Sequence, residues 1–294
     1  MNQPITIVGG GLAGLSLAHG LLKQGATVTV YEAGHYPRHK VCGEFICGAS
    51  QSTLETLGIQ NVIKDCTIVR EIEFKTGPGN SLRHFKLPQE ARGLSRWALE
   101  ARLAELVRTR GGVILEHQRL NPVDKLTEGT ILCYGRTKTV SSALGLKVHM
   151  PNTRELTRLE LYLGRNAYVG ISPIEENQLN VCGLFMDPPR GNKHHRINFM
   201  IEACKQAGLM SVAQQLATGA PIESSFIGTT QVCFHEKAAP ESGLHLGDAA
   251  MAIAPFTGNG MSLALESAAS ALEPIIRYVE GGSSWDQTII DIQS

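Results

Sequence analysis

The sequence predicts an α/β fold in which a parallel-sheet domain, assembled from both ends of the chain, carries an inserted antiparallel β-sheet domain. Three observations predict it. The chain opens on a β-branched run, Ile5–Val8, followed by a glycine-rich turn, an apolar-striped helix and a second strand. A second glycine-rich segment, Gly247–Ala250 with Pro255–Gly260, follows another short apolar strand near the end. Between them, residues 145–185 alternate as antiparallel strands do.

Composition narrows the function classes. With 294 residues, 43% of them hydrophobic and 18% charged, the chain suits a globular protein of one or two domains with a sizeable core. Lys+Arg and Asp+Glu both number 27, so no net charge draws it to nucleic acid or an anionic surface. Aromatic content of 5% argues against a base-stacking platform. No apolar run approaches the roughly 18 residues that span a bilayer, so no integral membrane segment is expected. Met1–Pro4 leads straight into the first strand, without a basic region or cleavage site. Seven scattered cysteines, an odd number, predict reduced thiols and a cytoplasmic address.

The first elements form a Rossmann-like unit. Gly9, Gly11 and Gly14 fit G-x-G-x-x-G: Gly9 permits the tight turn, Gly11 lets the backbone approach a phosphate, and Gly14 allows the helix to pack on the strand. The helix sets Leu12, Leu15, Ala18 and Leu22 on one face and stops near Gly25. The strand Thr27–Tyr31 then ends in Glu32, placed to accept from ribose hydroxyls. A carboxylate there repels a 2′-phosphate, so NADP is disfavoured at this site. This half does not separate NAD from FAD.

The second half makes that separation. Gly247-Asp248 ends the strand Leu244–Leu246, and the loop Pro255–Gly260 delivers the N-terminus of a helix over Met261–Ala268. Free N–H groups and the positive helix end stabilise the charge that a reduced flavin carries near N1 and C2=O. Asp248 accepts from ribityl hydroxyls or, on the alternative reading, caps a helix starting at Ala249. One site that recruits both ends of the chain points to FAD.

The middle elements follow in order. A helix is expected near Ser50–Leu57, then strands Ile68–Phe74 and Leu82–Phe85 joined by the turn Gly77–Asn80. Residues 94–108 read as helix, and Val113–Leu115 as a strand returning to the parallel sheet. Four antiparallel strands follow at Leu146–Met150, Arg158–Leu163, Ala167–Ile171 and Leu179–Leu184, then helices at 196–207 and 210–217. The division predicted is an FAD-binding domain of residues 1–64, 92–142 and 226–285, with a substrate domain of 65–91 and 143–225. The antiparallel sheet would wall the flavin, and a small-molecule substrate would bind between it and Phe256–Asn259.

Together with Pro37-Arg38-His39-Lys40-Val41-Cys42-Gly43-Glu44 and Leu94-Ser95-Arg96, these segments resemble FAD-dependent oxidoreductases of the para-hydroxybenzoate-hydroxylase-type fold. Within them the likeness is to the geranylgeranyl-reductase-like branch. The resemblance implies a GR2-type FAD-binding domain. It implies cofactor contacts from Gly9, Gly11, Leu12, Ala13, Gly14, Glu32, Arg38, Lys40, Cys42, Gly43, Arg96, Gly247, Asp248, Pro255, Gly258, Asn259, Gly260 and Met261. Three departures stand out. Tyr134 replaces the Asp of the hydroxylase Asp-Gly pair, which weakens hydroxylase-style NADPH handling. The stretch between Glu116 and Ile131 is too short for the usual β-meander. The strand at Tyr168–Pro173 lacks the tryptophan of the halogenase and reductase branches.

Cys42 and Tyr168 are the candidate catalytic residues. Cys42 and Cys47 form C-x₄-C, the spacing of flavin disulfide reductases, but no second nicotinamide motif accompanies them. His149, His194, His195 and His235 lack the spacing of a metal site, so no metal is expected. Lys147 and His149 lie on a strand leading into the substrate region. The function expected is two-electron hydride transfer between FAD and a mostly apolar organic substrate such as a prenyl lipid or polyketide. NADPH, NADH or an electron-donor protein would be the external reductant. Two alternatives stay open: a flavin-dependent aromatic monooxygenase or halogenase, and a non-catalytic FAD-binding protein.

Overall fold

The computed structural model describes residues 3–120, 127–136, 143–189, 196–230, 232, 243–251 and 258–293. Two sheets organise them. The first contains β1 (Ile5–Val8), β2 (Val28–Tyr31), β6 (Val113–Leu115), β7 (Thr130–Leu132) and β13 (Leu244–His245), in the order β13-β7-β1-β2-β6. Every pairing in it is parallel. β1 lies at the centre, as its continuous apolar run requires. The C-terminal strand β13 reaches the same sheet through β7, which brings N- and C-terminal strands into one sheet.

Helix α1 (Leu12–Lys23) connects β1 to β2 and is buried along nearly its whole length. It packs against α3 (Arg96–Thr109) and α6 (Gly260–Val279). Gly25 adopts φ of 83° just beyond its end, which glycine accepts without steric cost. The one ionisable side chain on its buried face is paired: Arg110 Nε donates to His19 Nε2 at 3.0 Å, leaving Nδ1–H to donate to the Leu57 carbonyl at 2.9 Å. Short α2 (Gln51–Leu57) begins at Ser50, whose hydroxyl accepts from the Thr53 N–H.

The second sheet has eight strands. They are β3 (Phe45–Ile46), β4 (Thr67–Thr76), β5 (Ser81–Gly93), β8 (Leu144–Pro151), β9 (Leu159–Gly164), β10 (Ala167–Ile174), β11 (Gln178–Phe185) and β12 (Ile222–Thr229). Their order is β12-β8-β11-β10-β9-β4-β5-β3, antiparallel except for the β4–β9 pair. Period-two alternation gives the sheet two unlike faces. On one, Leu146, Val148, Val169, Ile171 and Val181 pack under α4 (Arg196–Gln206) and α5 (Met210–Thr218). On the other, Lys147, His149, Ser172, Asn180 and Cys182 sit in register across β8, β11 and β10, and hydrogen bonds from His149, Ser172 and Asn180 reach Cys42–Glu44, the segment that leads into β3.

Three features lie beyond the periodicity of the sequence. β5 is much longer than Leu82–Phe85; its middle, with Pro88, bulges opposite Arg70 where the register shifts between Val69 and Glu71. β12 carries the second sheet past residue 225, and a bulge between Ile222 and Ile227 scrambles its alternation. The tail forms α7 (Trp285–Gln293), anchored by Trp285 against Tyr278 with ring centroids 4.9 Å apart. Among the described residues no strand lies between β6 and β7. Nor is any described helix long and apolar enough to cross a membrane.

Candidate functional site

The cradle at the start of α1 is made of backbone. Gly9 has φ of 109°, and a side chain there would run into the Cys133 carbonyl; one at Gly14 would run into the Gly9 carbonyl. Gly11 is the N-cap of α1 and supplies no side-chain cap, so the first N–H groups of the helix are left for an external acceptor. Leu12 and Ala13 are buried in the first turn. The nearest group to a Cβ built at Gly11 is the Lys40 amine, 3.8 Å away. Backbone donors and a cation thus converge on one small volume.

A charged belt surrounds it. Glu32, at the end of β2, accepts from the Gly10 N–H at 2.9 Å, the Gly34 N–H at 2.6 Å and Arg38 Nη1 at 2.5 Å. Burial alone would raise its carboxyl, but the bonds from Arg38 and Gly34 outweigh burial and hold it at about 2. The Tyr36 hydroxyl donates to the Gly10 carbonyl, closing the loop over the turn. Glu100 is fully buried one turn into α3, and Arg38, Lys40 and Arg96 all pair with it. Burial would raise Glu100 too; the charges of Arg96, Lys40 and Arg38 bring it below the usual range.

The second glycine segment arrives beside the first. A Cβ at Gly247 would sit 3.1 Å from the Ala13 methyl, and the Gly247 N–H donates to Ser267 Oγ of α6 at 3.0 Å. Asp248 lies in a single 3₁₀ turn, Gly247–Ala249, and pairs with Arg136 Nε at 3.0 Å; no helix begins at Ala249 for it to cap. Gly258 has φ of 71°, and Asn259 N-caps α6 with no side-chain bond, so this helix also opens with free N–H groups. Gly260 opens α6 within 4.0 Å of Asp248 Oδ1, measured from an ideal Cβ, and Met261 is buried behind it. Pro255 and the Phe256-Thr257 part of the loop fall outside the described residues.

The wall meets the loop that carries Cys42. Asn180 Nδ2 donates to the Cys42 carbonyl and Ser172 Oγ to the Gly43 carbonyl, each at 3.0 Å. Cys42 Sγ accepts from the Glu44 N–H at 3.4 Å, and the Arg96 guanidinium interacts with the same sulfur. Cys42 and Cys47 are both free thiols; Cys42 packs toward the parallel-sheet core and Cys47 toward Phe45 and Val69, so the C-x₄-C spacing does not make a pair. Tyr168 stands on β10 beside Ala143, Leu184 and Val232, and burial pushes its hydroxyl up. Tyr134 packs edge-on to His245, with ring centroids 5.9 Å apart.

These residues fit an anionic dinucleotide. Near the cradle, three cations (Arg38, Lys40, Arg96) face two carboxylates (Glu32, Glu100), leaving positive charge beside a helix N-terminus. Arg38 Nε and Arg96 Nε are buried without a hydrogen-bond partner among the described residues, so the belt has unspent donors, although Arg38 Nε faces the equally unbonded Glu100 Oε2 at 3.7 Å. Alone in the sequence, Arg38 and Lys40 read as a solvated loop pair and Arg96 as surface charge opposing the α3 dipole. Glu100, at i+4 from Arg96, reverses both readings. Its signal was a carboxylate on the inward face of an amphipathic helix. Glu44 and Arg136 were also missed as site residues, and Lys147 was placed only on a strand leading to the substrate region, because each acquires its partner, 103 residues away for Glu44 and Lys147 and 112 for Arg136 and Asp248, only in the closed fold. No group of three or more His, Cys, Asp or Glu among the described residues could hold a metal; His194, His195 and His235 lie outside them.

Comparison with known proteins agrees with this geometry. The family model of NAD(P)-binding Rossmann-like domains matches residues 7–41, the β1–α1–β2 unit and the loop after it. No curated protein matches the sequence. Solved structures superimpose over nearly the whole chain at low identity. PqsL of P. aeruginosa, solved with 2-aminobenzoylacetate, gives a TM-score of 0.73 at 18% identity, over 99% of this chain and 90% of that one; PqsL is a probable FAD-dependent monooxygenase. Tetrameric 2-methyl-3-hydroxypyridine-5-carboxylic acid oxygenase gives 0.75 at 18%, over 99% and 86%. A flavoprotein/dehydrogenase from Cytophaga hutchinsonii gives 0.73 at 14%, over 98% and 81%. None of these three is a geranylgeranyl reductase, and the branch expected from the sequence gives way to the broader group. Almost end to end, this chain has the fold of FAD-dependent monooxygenases.

Proposed function

We propose that this chain is an FAD-dependent oxidoreductase, and that its reaction is oxygenation of a small aromatic substrate. The observation that carries the reading is the convergence of the two glycine segments, with Gly247 against Ala13, in a chain whose full length follows the monooxygenase fold. When bound, the flavin would supply two-electron chemistry and the activation of dioxygen.

The residues of the chain bind, orient and shield. The N–H groups at the start of α1, with Lys40, would take the pyrophosphate, and Glu32 the adenosine ribose. Asp248 would take ribityl hydroxyls, and the open N-terminus of α6 would favour negative charge on the pyrimidine side of the ring. Cys42 and Gly43, tied to Asn180 and Ser172, would border the ring on the wall side. Tyr168 and Leu184 would shape the substrate chamber, with Tyr168 presenting a hydroxyl that stays protonated. The PqsL ligand and the oxygenase substrate are both carboxylates, so Arg136, in the loop after β7 and paired with Asp248, is the proposed anchor for an acidic substrate.

A second reading, hydride exchange with a mostly apolar substrate, is favoured by Tyr134. It occupies the position of the hydroxylase Asp and packs on His245, offering no carboxylate. Anaerobic reduction of the FAD-loaded protein, followed by air and a panel of aromatic acids, decides between them. Products heavier by one oxygen support the proposal. Products changed only by two hydrogens, with no oxygen gained, refute it in favour of the second reading.

A further inference from the structure

Between the two sheets lies a buried charge cluster that cofactor binding does not itself require. Its centre is Glu44, fully buried and held at φ of 52°, a left-handed conformation in which glutamate is uncommon. Oε1 accepts from the Arg96 N–H at 3.0 Å and forms an ion pair with Lys147 Nζ at 3.1 Å, and Oε2 meets His149 Nε2 at 2.6 Å. The Glu44 carbonyl accepts from the Leu94 N–H at 3.1 Å. Lys147, itself fully buried, also reaches His39 Nδ1 at 3.0 Å, and His39 stacks on Trp97. That contact requires His39 to accept, and so to be neutral; burial, then the Lys147 charge, lowers it to about 4.

Stability does not account for this arrangement. A buried ion pair gains little over an apolar pair of the same shape, and left-handed backbone at a non-glycine residue is strained. What the cluster does achieve is rigid placement. Glu44 is bonded to β8 and to the start of α3, and the two residues before it are bonded to β10 and β11 through Ser172 and Asn180. Asn180 Oδ1, on the same face, is buried with no hydrogen-bond partner among the described residues, an acceptor left open beside the Cys42 carbonyl. Strain and buried charge tend to collect where geometry must be held for function.

We propose that Glu44 is a positioning residue. Pinned by Lys147 and His149, it fixes the Cys42–Gly43 segment against the wall, and so sets the depth at which the flavin ring lies over the substrate chamber. The proposal rests on the flavin reading above.

The test compares Glu44→Gln, Lys147→Met and the double variant with wild type. Apo-protein melting, FAD affinity by fluorescence titration, the visible spectrum and the reduction potential of the bound flavin are measured. Each single variant strands a buried polar partner and should lower the melting temperature, while the double variant regains much of the loss. Glu44→Gln and the double variant should both bind FAD at least about tenfold more weakly, the scale of one lost charge-assisted hydrogen bond, and shift the spectrum and the potential. If the double variant recovers stability and its flavin has wild-type affinity, spectrum and potential, the role is only structural and the proposal is overturned. If wild-type protein takes up no FAD, the flavin reading fails as well, which separates the two failures.

Discussion

Gly11→Ala separates folding from cofactor binding more cleanly than any other change in the cradle. Gly11 has φ of −83° and ψ of −166°, extended backbone that alanine adopts freely, and the new methyl would meet only Lys40 Nζ, at 3.8 Å. Alanine is a poorer N-cap than glycine by several tenths of a kcal/mol. Its smaller unfolded-state freedom returns about 0.4–1 kcal/mol. Apo stability should therefore change by less than about 1 kcal/mol, within a few degrees of melting temperature for a domain this size. The same methyl projects into the space between the free N–H groups of α1 and Lys40. Pushing a phosphate back from that position would break one charge-assisted hydrogen bond of about 1.5–3 kcal/mol, a loss of roughly ten- to hundredfold in affinity. Thermal melting of the apoprotein and fluorescence titration with FAD give both numbers. Wild-type affinity in a normally folded Gly11→Ala protein would refute the placement of the pyrophosphate.

Other outcomes follow from the same structure. Gly93→Ala should destabilise by at least about 1–3 kcal/mol, because its methyl would strike the Pro173 backbone carbonyl on β10, which cannot swing aside; denaturant midpoints measure it. Ser95→Ala should cost about 1–2 kcal/mol, since Ser95 Oγ accepts from the Ala98 N–H at 3.0 Å as the α3 N-cap and donates to Glu175. Stability should hold above about pH 6.5 and fall in two stages below it. His39, lowered to about 4 from 6.5, binds a proton more readily unfolded than folded, so stability drops between those values. Glu32 and Glu160, both held at about 2 against 4.5, contribute stability present above 4.5 and lost as pH falls toward 2. Urea titrations across pH 2–8 check both stages, and Glu160→Gln should flatten the lower one.

The parts legible in the sequence were those encoded by neighbours along the chain. β1, α1 and β2 announce themselves through a β-branched run, a 3.6-residue apolar stripe and glycines whose φ values or close contacts exclude a side chain. The hairpin of β4 and β5 and the four strands from β8 to β11 follow from turn residues and alternation. β12 was hidden because its bulge breaks the period, and α7 because its helix depends on the tertiary contact of Trp285 with Tyr278. C-x₄-C was a local pattern without a local consequence, since Cys42 and Cys47 pack into different clusters.

By itself, then, the sequence determined the α/β class, the glycine cradle, the acidic end of β2 and the pairing of two distant glycine segments. The first three are demands made on the backbone by a few adjacent residues, and the fourth rests on the recurrence of a glycine-rich turn after a short strand. Only the tertiary structure decided which charges meet. Glu100 gathers Arg38, Lys40 and Arg96, and Glu44 gathers Lys147 and His149, across separations of up to 105 residues. Burial strengthens such pairs by removing water, and burial is a property of the closed fold that no local spacing encodes.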